Sequence, residues 1–234
     1  MSEYVGTELD VFGHAHNWKA YLRSRITKYL RGRVLEVGGG IGATTSAFRD
    51  AAQDRWTALE PDPALAARLR AHIARHRWPV SVVAGTLDAV PEAPLFDCIL
   101  YIDVLEHIED DRGELVKAVK RLVTGGAVVV LSPAHQTLYT PFDKAIGHYR
   151  RYNRSMLESL TPPGTSLDCM EYLDCVGLSL SLGNKLLLRS SSPTLTQVRF
   201  WDQWCVPLSR RLDGLWGRRL GKSILAVWIR NRVP

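Results

Sequence analysis

Apolar and polar residues alternate along this chain with two different periods. Short, largely β-branched apolar runs at residues 33–37, 56–59, 80–84, 97–102 and 127–131 have the length and composition of buried strands. The stretches between them repeat apolar residues at helical spacing, as in 64–76, in 110–121 and in the turn that begins near Ala43. Ahead of the first strand, residues 16–30 place Trp18, Tyr21, Leu22, Ile26 and Tyr29 on one helical stripe, which Gly32 ends. Glu60-Pro61-Asp62-Pro63 stops the second strand, and Gly125-Gly126 is expected to turn the chain into the fifth. Strands alternating with helices predict a doubly wound α/β domain around a mostly parallel sheet, with its chemistry at the strand C-termini.

Beyond residue 135 the alternation thins. A polar and aromatic loop leads to a short helix near 155–160, a strand at 167–172 and a last strand at 223–229, which brings the strand count to seven. About fifty residues separate these last strands, more than a hairpin loop requires, so a helical insertion over about 178–222 is expected. The chain reads as one domain, 1–234. Residues 1–31 would carry a lid helix, 32–135 the ligand-binding core and 136–234 the substrate side.

Composition narrows the setting. With 234 residues and 46% hydrophobic content, the chain can bury a full core. Cys98, Cys169, Cys175 and Cys205 form no C-x-x-C pair, which points to reduced thiols in a cytoplasmic protein. No basic and apolar leader opens the sequence, and no run approaches the roughly 18 apolar residues of a spanning helix, so no transmembrane segment is expected. Between Gly183 and Lys222, eight cations (Lys185, Arg189, Arg199, Arg210, Arg211, Arg218, Arg219, Lys222) face only Asp202 and Asp213, an excess equal to the +6 of the whole chain. Phe200, Trp201, Trp204 and Trp216 lie among them. Such a segment suits an anionic or lipid-linked small-molecule substrate, or a peripheral membrane contact, and is otherwise a solvated helical face. No nucleic-acid module is recognisable, which argues against nucleic acid as the partner.

The densest motif is VLEVGGGIGATT, residues 34–45. Gly38, Gly40 and Ala43 fit the dinucleotide pattern G-x-G-x-x-G/A, with Glu60 at a distance suited to ribose hydroxyls. The same stretch also reads Glu36-x-Gly38-x-Gly40-x-Gly42. A carboxylate ahead of the glycines repels a pyrophosphate and suits a cation such as an amino-acid ammonium. Both readings use bare backbone close to a ligand.

With TALEPDP, VVAGTL, FDCILYIDVLEHIEDD and GGAVVVLSPAH following in order, the chain resembles the class I S-adenosylmethionine-dependent methyltransferases. The resemblance covers roughly residues 33–135 and implies a Rossmann-like fold with S-adenosylmethionine as cofactor. It implies that Gly38, Gly40 and Gly42 line the methionine part of the cofactor, with Glu36 near its amino group. Glu60, followed by Pro61, would take the ribose, Thr86 and Leu87 would flank adenine, and Asp103 would face the methionine end. Thr86 stands where many relatives carry an acid, so Thr86, backbone or Asp88 would read the adenine amino group. By position, the lid helix would bring Trp18 to the cofactor and Tyr21 to the substrate.

Methyl transfer is an in-line displacement that needs alignment, exclusion of water and, for some acceptors, a base. His135, just past strand five, and His148 are the candidate bases, with Asp143 as an orienting carboxylate. Residues 135–154 resemble a subgroup of bacterial small-molecule methyltransferases with a GHYRRY loop. In that loop Tyr149, Arg150 and Arg151 are candidate substrate contacts, the arginines for a carboxylate or phosphate. Asp103-x-x-Glu106-His107 is similar to the E-x-x-E-H of ubiquinone-pathway O-methyltransferases, which have been associated with a divalent metal. The expectation is nevertheless that Glu106 and His107 pack and no metal binds. Gly217 to Ser223 is one residue short of a P-loop and is set aside. A small-molecule O- or N-methyltransferase is expected; a cofactor-binding enzyme with another reaction, a nucleic-acid methyltransferase and a nicotinamide oxidoreductase are the competing classes.

Overall fold

The computed structural model describes residues 8–50, 52–183 and 194–232. The helices are α1 Glu8–Gly13, α2 His16–Ile26, α3 Ala43–Phe48, α4 Pro63–His76, α5 Asp111–Arg121, α6 Pro141–Ala145, α7 Arg154–Ser159, α8 Cys175–Gly183, α9 Leu195–Phe200 and α10 Val206–Leu215. The strands are β1 Gly32–Val37, β2 Gln53–Glu60, β3 Val80–Ala84, β4 Phe96–Ile102, β5 Leu122–Pro133, β6 Thr165–Leu173 and β7 Ser223–Arg230. They form one seven-stranded sheet in the order β3-β2-β1-β4-β5-β7-β6. Strands β1 to β5 pair in parallel, while β7 enters antiparallel between β5 and β6. The expected mostly parallel α/β fold with a helical insertion before the last strand is therefore the one found. The strand order reverses beside β1, which opens a crevice at the C-terminal ends of β1 and β4.

Each sheet face carries its own core. On one face Val34, Trp56, Leu100 and Val129 pack with Trp18, Tyr21, Leu22 and Ile26 of α2. On the other, Leu35, Ile99 and Val128 pack with Leu115 and Ala118 of α5. The expected lid helix is thus a layer of the core. The apolar stripe that predicted a helix also drives it onto the sheet, because full burial of side chains of this size stabilises by about 1.5–3 kcal/mol each. The short α1 is the element over the glycine loop: Leu9 is the nearest side chain to the site a Gly40 Cβ would occupy, at 3.5 Å.

The Gly125-Gly126 pair also does something other than expected. It lies inside β5 as a bulge, where pairing jumps from Phe96↔Leu122 to Cys98↔Ala127 and Gly125 takes a φ of +77°.

Three buried carboxylates fasten the insertion. Asp213 accepts from the Tyr21 hydroxyl (2.7 Å) and from the backbone N–H groups of Asp174 (2.7 Å) and Cys175 (2.9 Å). Asp174 accepts from Trp201 Nε1 at 2.8 Å and Ser209 Oγ at 2.6 Å. Asp202 accepts from the N–H groups of Trp18 and Asn17, at 2.8 and 3.1 Å, and so caps the start of α2. Lys185 and Arg189 of the basic segment lie outside the described residues.

Candidate active site

The glycine loop leaves β1 with Gly38, Gly40 and Gly42 at φ of +72°, +53° and +87°. At Gly38 the conformation and the space agree, since a Cβ there would stand 2.5 Å from Val104 Cγ2. Glu60 ends β2 buried, with Oε2 accepting from the Gly40 N–H at 2.7 Å and Oε1 from the Asp62 N–H at 3.0 Å. It therefore fixes the loop and keeps lone pairs in reserve. Glu36, buried on β1, accepts from Thr45 Oγ1 and Trp56 Nε1 through Oε2, while Oε1 has no partner. Burial pushes its carboxyl up to about 7, against the opposing bonds from Thr45 and Trp56. A loop of bare backbone with an orphaned buried carboxylate oxygen behind it fits an ammonium-bearing ligand. Pro61 and Thr86 are exposed beside this strand edge, Leu87 is fully buried, and Asp88 pairs with Lys117 at 2.8 Å.

At the ends of β4 and β5 the polar groups converge. Asp103 turns the chain with a φ of +54°, its N–H donating to the Leu131 carbonyl at 2.9 Å. Its titratable neighbours are His148, Lys222 and Lys19. His148 is anchored by Asp143, whose Oδ1 lies 3.0 Å from Nδ1, and the Tyr149 N–H ties the loop to the Glu106 carbonyl at 2.8 Å. Asp143 also caps α6 at Thr140 and takes a bidentate pair from Arg151 at 2.7 and 2.9 Å. Burial would raise its carboxyl, but the bonds from His148 and Arg151 overcome that and hold it well below the usual carboxylate range. An ionised Asp143 assigns the proton of His148 to Nδ1 and leaves Nε2 as the acceptor.

That acceptor faces Glu106 and His107. Glu106 Oε1 lies 3.9 Å away, and the His107 ring meets the His148 ring edge-on at 4.5 Å. Glu106 is completely buried with neither carboxylate oxygen partnered. Burial, reinforced by the Asp103 charge, pushes its carboxyl well above the ordinary range. Burial and the nearby His148 push His107 down to about 4. Glu106, His107 and His148 each offer a ligand atom within 4.8 Å of the others, the one such group among the described residues. Asp103 does not join this group: the chain from 105 to 107 is a single tight turn, and the loop supplies His148 instead.

Several candidates are occupied elsewhere. His135 points Nε2 at the Gly221 carbonyl, 2.9 Å away, and stacks on Tyr172 at 5.1 Å, which fastens β5 to the start of β7. Arg150 pairs with Asp111 at 2.5 Å and the Glu109 carbonyl at 2.8 Å, and Arg151 is spent on Asp143, so both guanidinium groups are used inside the chain. Tyr149 is 52% exposed, Trp18 lies against Tyr21 and Trp201, and Tyr21 is buried on Asp213. The basic segment included Lys222 without marking it as a site residue, and Lys19 was passed over. Lys222 sits 5.1 Å above the Trp201 ring and is in no ion pair among the described residues, and Lys19 closes the end of α1 through the Phe12 carbonyl at 2.7 Å. The signal for Lys222 was its place before an antiparallel strand, which starts at the edge where parallel strands end.

Comparison with known proteins places this geometry. Residues 35–129 match a family model described as a methyltransferase domain. This segment is a methyltransferase domain. The assignment agrees with the family and with the S-adenosylmethionine cofactor expected from the motifs, and it supports an enzyme role for the chain. No curated protein matches it by sequence. Among solved structures, the N-methyltransferase NodS from Bradyrhizobium japonicum WM9, in complex with S-adenosyl-L-homocysteine, is 18% identical at a TM-score of 0.59, over 97% of this chain and 92% of its own. Coclaurine N-methyltransferase, bound to N-methylheliamine and SAH, is 14% identical at a TM-score of 0.62, over 90% of this chain and 70% of its own. The [4+2]-cyclase SpnF is 13% identical at a TM-score of 0.63, over 97% and 95%. At these identities the three share the fold of the methyltransferase domain.

Proposed function

We propose that the enzyme transfers a methyl group to an oxygen or nitrogen of a small-molecule acceptor, with His148 as the base and Asp143 as its positioning residue. The observation that carries this is the Asp143–His148 pair, which leaves Nε2 free at the end of β4, 3.9 Å from the nearest carboxylate oxygen of Glu106. S-adenosylmethionine, when bound, supplies an electrophilic methyl group on a sulfonium. Glu36 would receive its ammonium, the glycine loop would approach its methionine part and Glu60 would take the ribose. His148 Nε2 would take the proton that the acceptor loses on methylation. His135 has its Nε2 committed to Gly221 and belongs to the pocket wall. Lys222, in no ion pair among the described residues and backed by an aromatic ring, supports an acceptor with a carboxylate or phosphate group. The unpaired state of all four cysteines suits a reducing cytoplasm.

The test is S-adenosylhomocysteine formation over a panel of phenol and amine acceptors. His148→Ala is expected to lower kcat by about 10²–10⁴-fold with unchanged cofactor affinity. A variant as fast as wild type on an accepted substrate would leave positioning as the whole mechanism. A second reading has its own support in the grouping of Glu106, His107 and His148. Residues of this type suit a transition-metal divalent ion better than a hard one. An ion there would occupy His148 Nε2, so chelation separates the two readings: base catalysis survives EDTA and metal-assisted transfer does not.

A further inference from the structure

The helical insertion has two faces, and the fold uses only one. Val198, Trp201, Cys205, Val206, Ser209 and Asp213 point into the core. Phe200, Trp204, Leu208 and Leu215 repeat at helical spacing on the other side, where they are 55%, 69%, 45% and 79% exposed. Trp216 and Leu220 continue this surface. Of the ten large apolar side chains exposed among the described residues, six fall between Phe200 and Leu220, so the apolar exposure is concentrated on this segment.

The charge on that surface has a single sign. Arg199, Arg210, Arg211 and Arg219 are exposed, and none of them is in an ion pair among the described residues. The only acids between residues 194 and 220, Asp202 and Asp213, are buried and bonded inward. A protein-binding face would have to find acids on its partner for each of these cations, whereas an anionic bilayer offers phosphate wherever they lie. Tryptophan with leucine and arginine on one helical face is the combination favoured at a bilayer interface, where rings sit among headgroups and guanidinium groups meet lipid phosphate. Leu215, Trp216, Gly217, Arg219 and Leu220 also line an open cleft of about 510 Å³, which gives a headgroup a cation between apolar walls. No helix among the described residues is long and apolar enough to cross a membrane, so contact through this helix would be at the surface.

We infer that the outer face of residues 199–220 docks on an anionic lipid bilayer. Trp201 on the inner face carries Lys222 above its ring, so docking would bring the substrate end of the site near the headgroups. This last consequence rests on the proposed site, whereas the binding does not.

Flotation of the full chain with vesicles tests it, using phosphatidylcholine alone and with about 30% phosphatidylglycerol. Wild type is expected to bind only the anionic vesicles, with a blue shift of tryptophan emission, and to be released at about 0.5 M salt. Each arginine removed is expected to weaken partition about fivefold, so the Arg210→Glu, Arg211→Glu double variant should lose at least about 25-fold. Trp204→Ser with Leu208→Ser should lose at least about tenfold. Both should keep wild-type affinity for S-adenosylmethionine, a readout that separates failure of this inference from failure of the cofactor reading and from misfolding. Should either variant misfold, quenching of wild-type tryptophans by brominated anionic lipid decides alone. Wild type that stays unbound at low salt, folded variants that bind as well as wild type, or preference for a homopolymeric RNA over the vesicles would overturn the inference.

Discussion

Asp143 shows how one residue sets the chemistry of another. Its carboxylate is shared by Thr140, Arg151 and His148, so Asp143→Asn should leave a loop of similar shape with the wrong hydrogen-bonding partner for the imidazole. We expect kcat to fall roughly ten- to a hundredfold with near-normal KM, and the pH–rate profile to shift in its acidic limb, which a purely structural role would leave in place. Glu36 gives a prediction of a different kind. Its folded pKa, near 7, is raised above the ordinary carboxyl value by burial, so the stability it contributes is present below pH 4.5 and is lost as pH rises toward 7. Glu36→Gln should therefore match wild type in chemical denaturation at pH 4.5 and exceed it by about 2–3 kcal/mol above pH 7. If the ionised form holds the cofactor ammonium, the same variant should bind S-adenosylmethionine more weakly above pH 7, which titration calorimetry reads directly. At this scale the glycines, Glu36 and Glu60 were legible because backbone conformation and charge are local properties. The pairing of Arg151 with Asp143 was not, since both a free arginine and an occupied one look alike in a sequence.

At the scale of elements, periodicity located the helices and strands but not their partners. The stripe Trp18, Tyr21, Leu22, Ile26 fixed α2 as amphipathic, yet whether it covers a ligand or a sheet depends on what faces it, and here that is Val34, Trp56 and Leu100. Tyr21→Phe tests the difference. Removal of a buried hydroxyl that donates to Asp213 should cost about 0.5–3 kcal/mol in denaturant unfolding and leave substrate KM unchanged; a raised KM at full stability would return Tyr21 to the site. The Gly125-Gly126 pair was legible as a break but not as a bulge, because the same residues suit a turn or an inserted strand residue. Likewise, β7 was recognised as a strand, but only its antiparallel entry between β5 and β6 carries Lys222 to the edge where β4 delivers Asp103.

In the whole molecule the insertion is both a structural member and an unpartnered surface, and the two roles make opposite predictions. Inward, Asp174, Asp202 and Asp213 tie α2, the π-helical turn at Trp201–Cys205 and the start of α8 into one buried hydrogen-bonded network. Each bond to these carboxylates contributes roughly 1.5–3 kcal/mol net, and a buried carboxylate left without partners costs its desolvation besides, so the network fails as a unit. Replacement of residues 195–220 by a short linker should accordingly expose the packed faces of α2 and β7 and destroy cooperative unfolding in calorimetry. Outward, Trp204, Leu208 and Leu215 contact little, and their replacement by serine should leave the unfolding temperature within a few degrees of wild type, because surface substitutions usually change stability by less than about 0.5 kcal/mol. A large fall in unfolding temperature for the outer-face variant would mean that these side chains pack within the fold after all and are not held free for a bilayer. Retained stability alongside lost vesicle binding would divide the insertion into an inner half that builds the active site and an outer half that decides where the enzyme works.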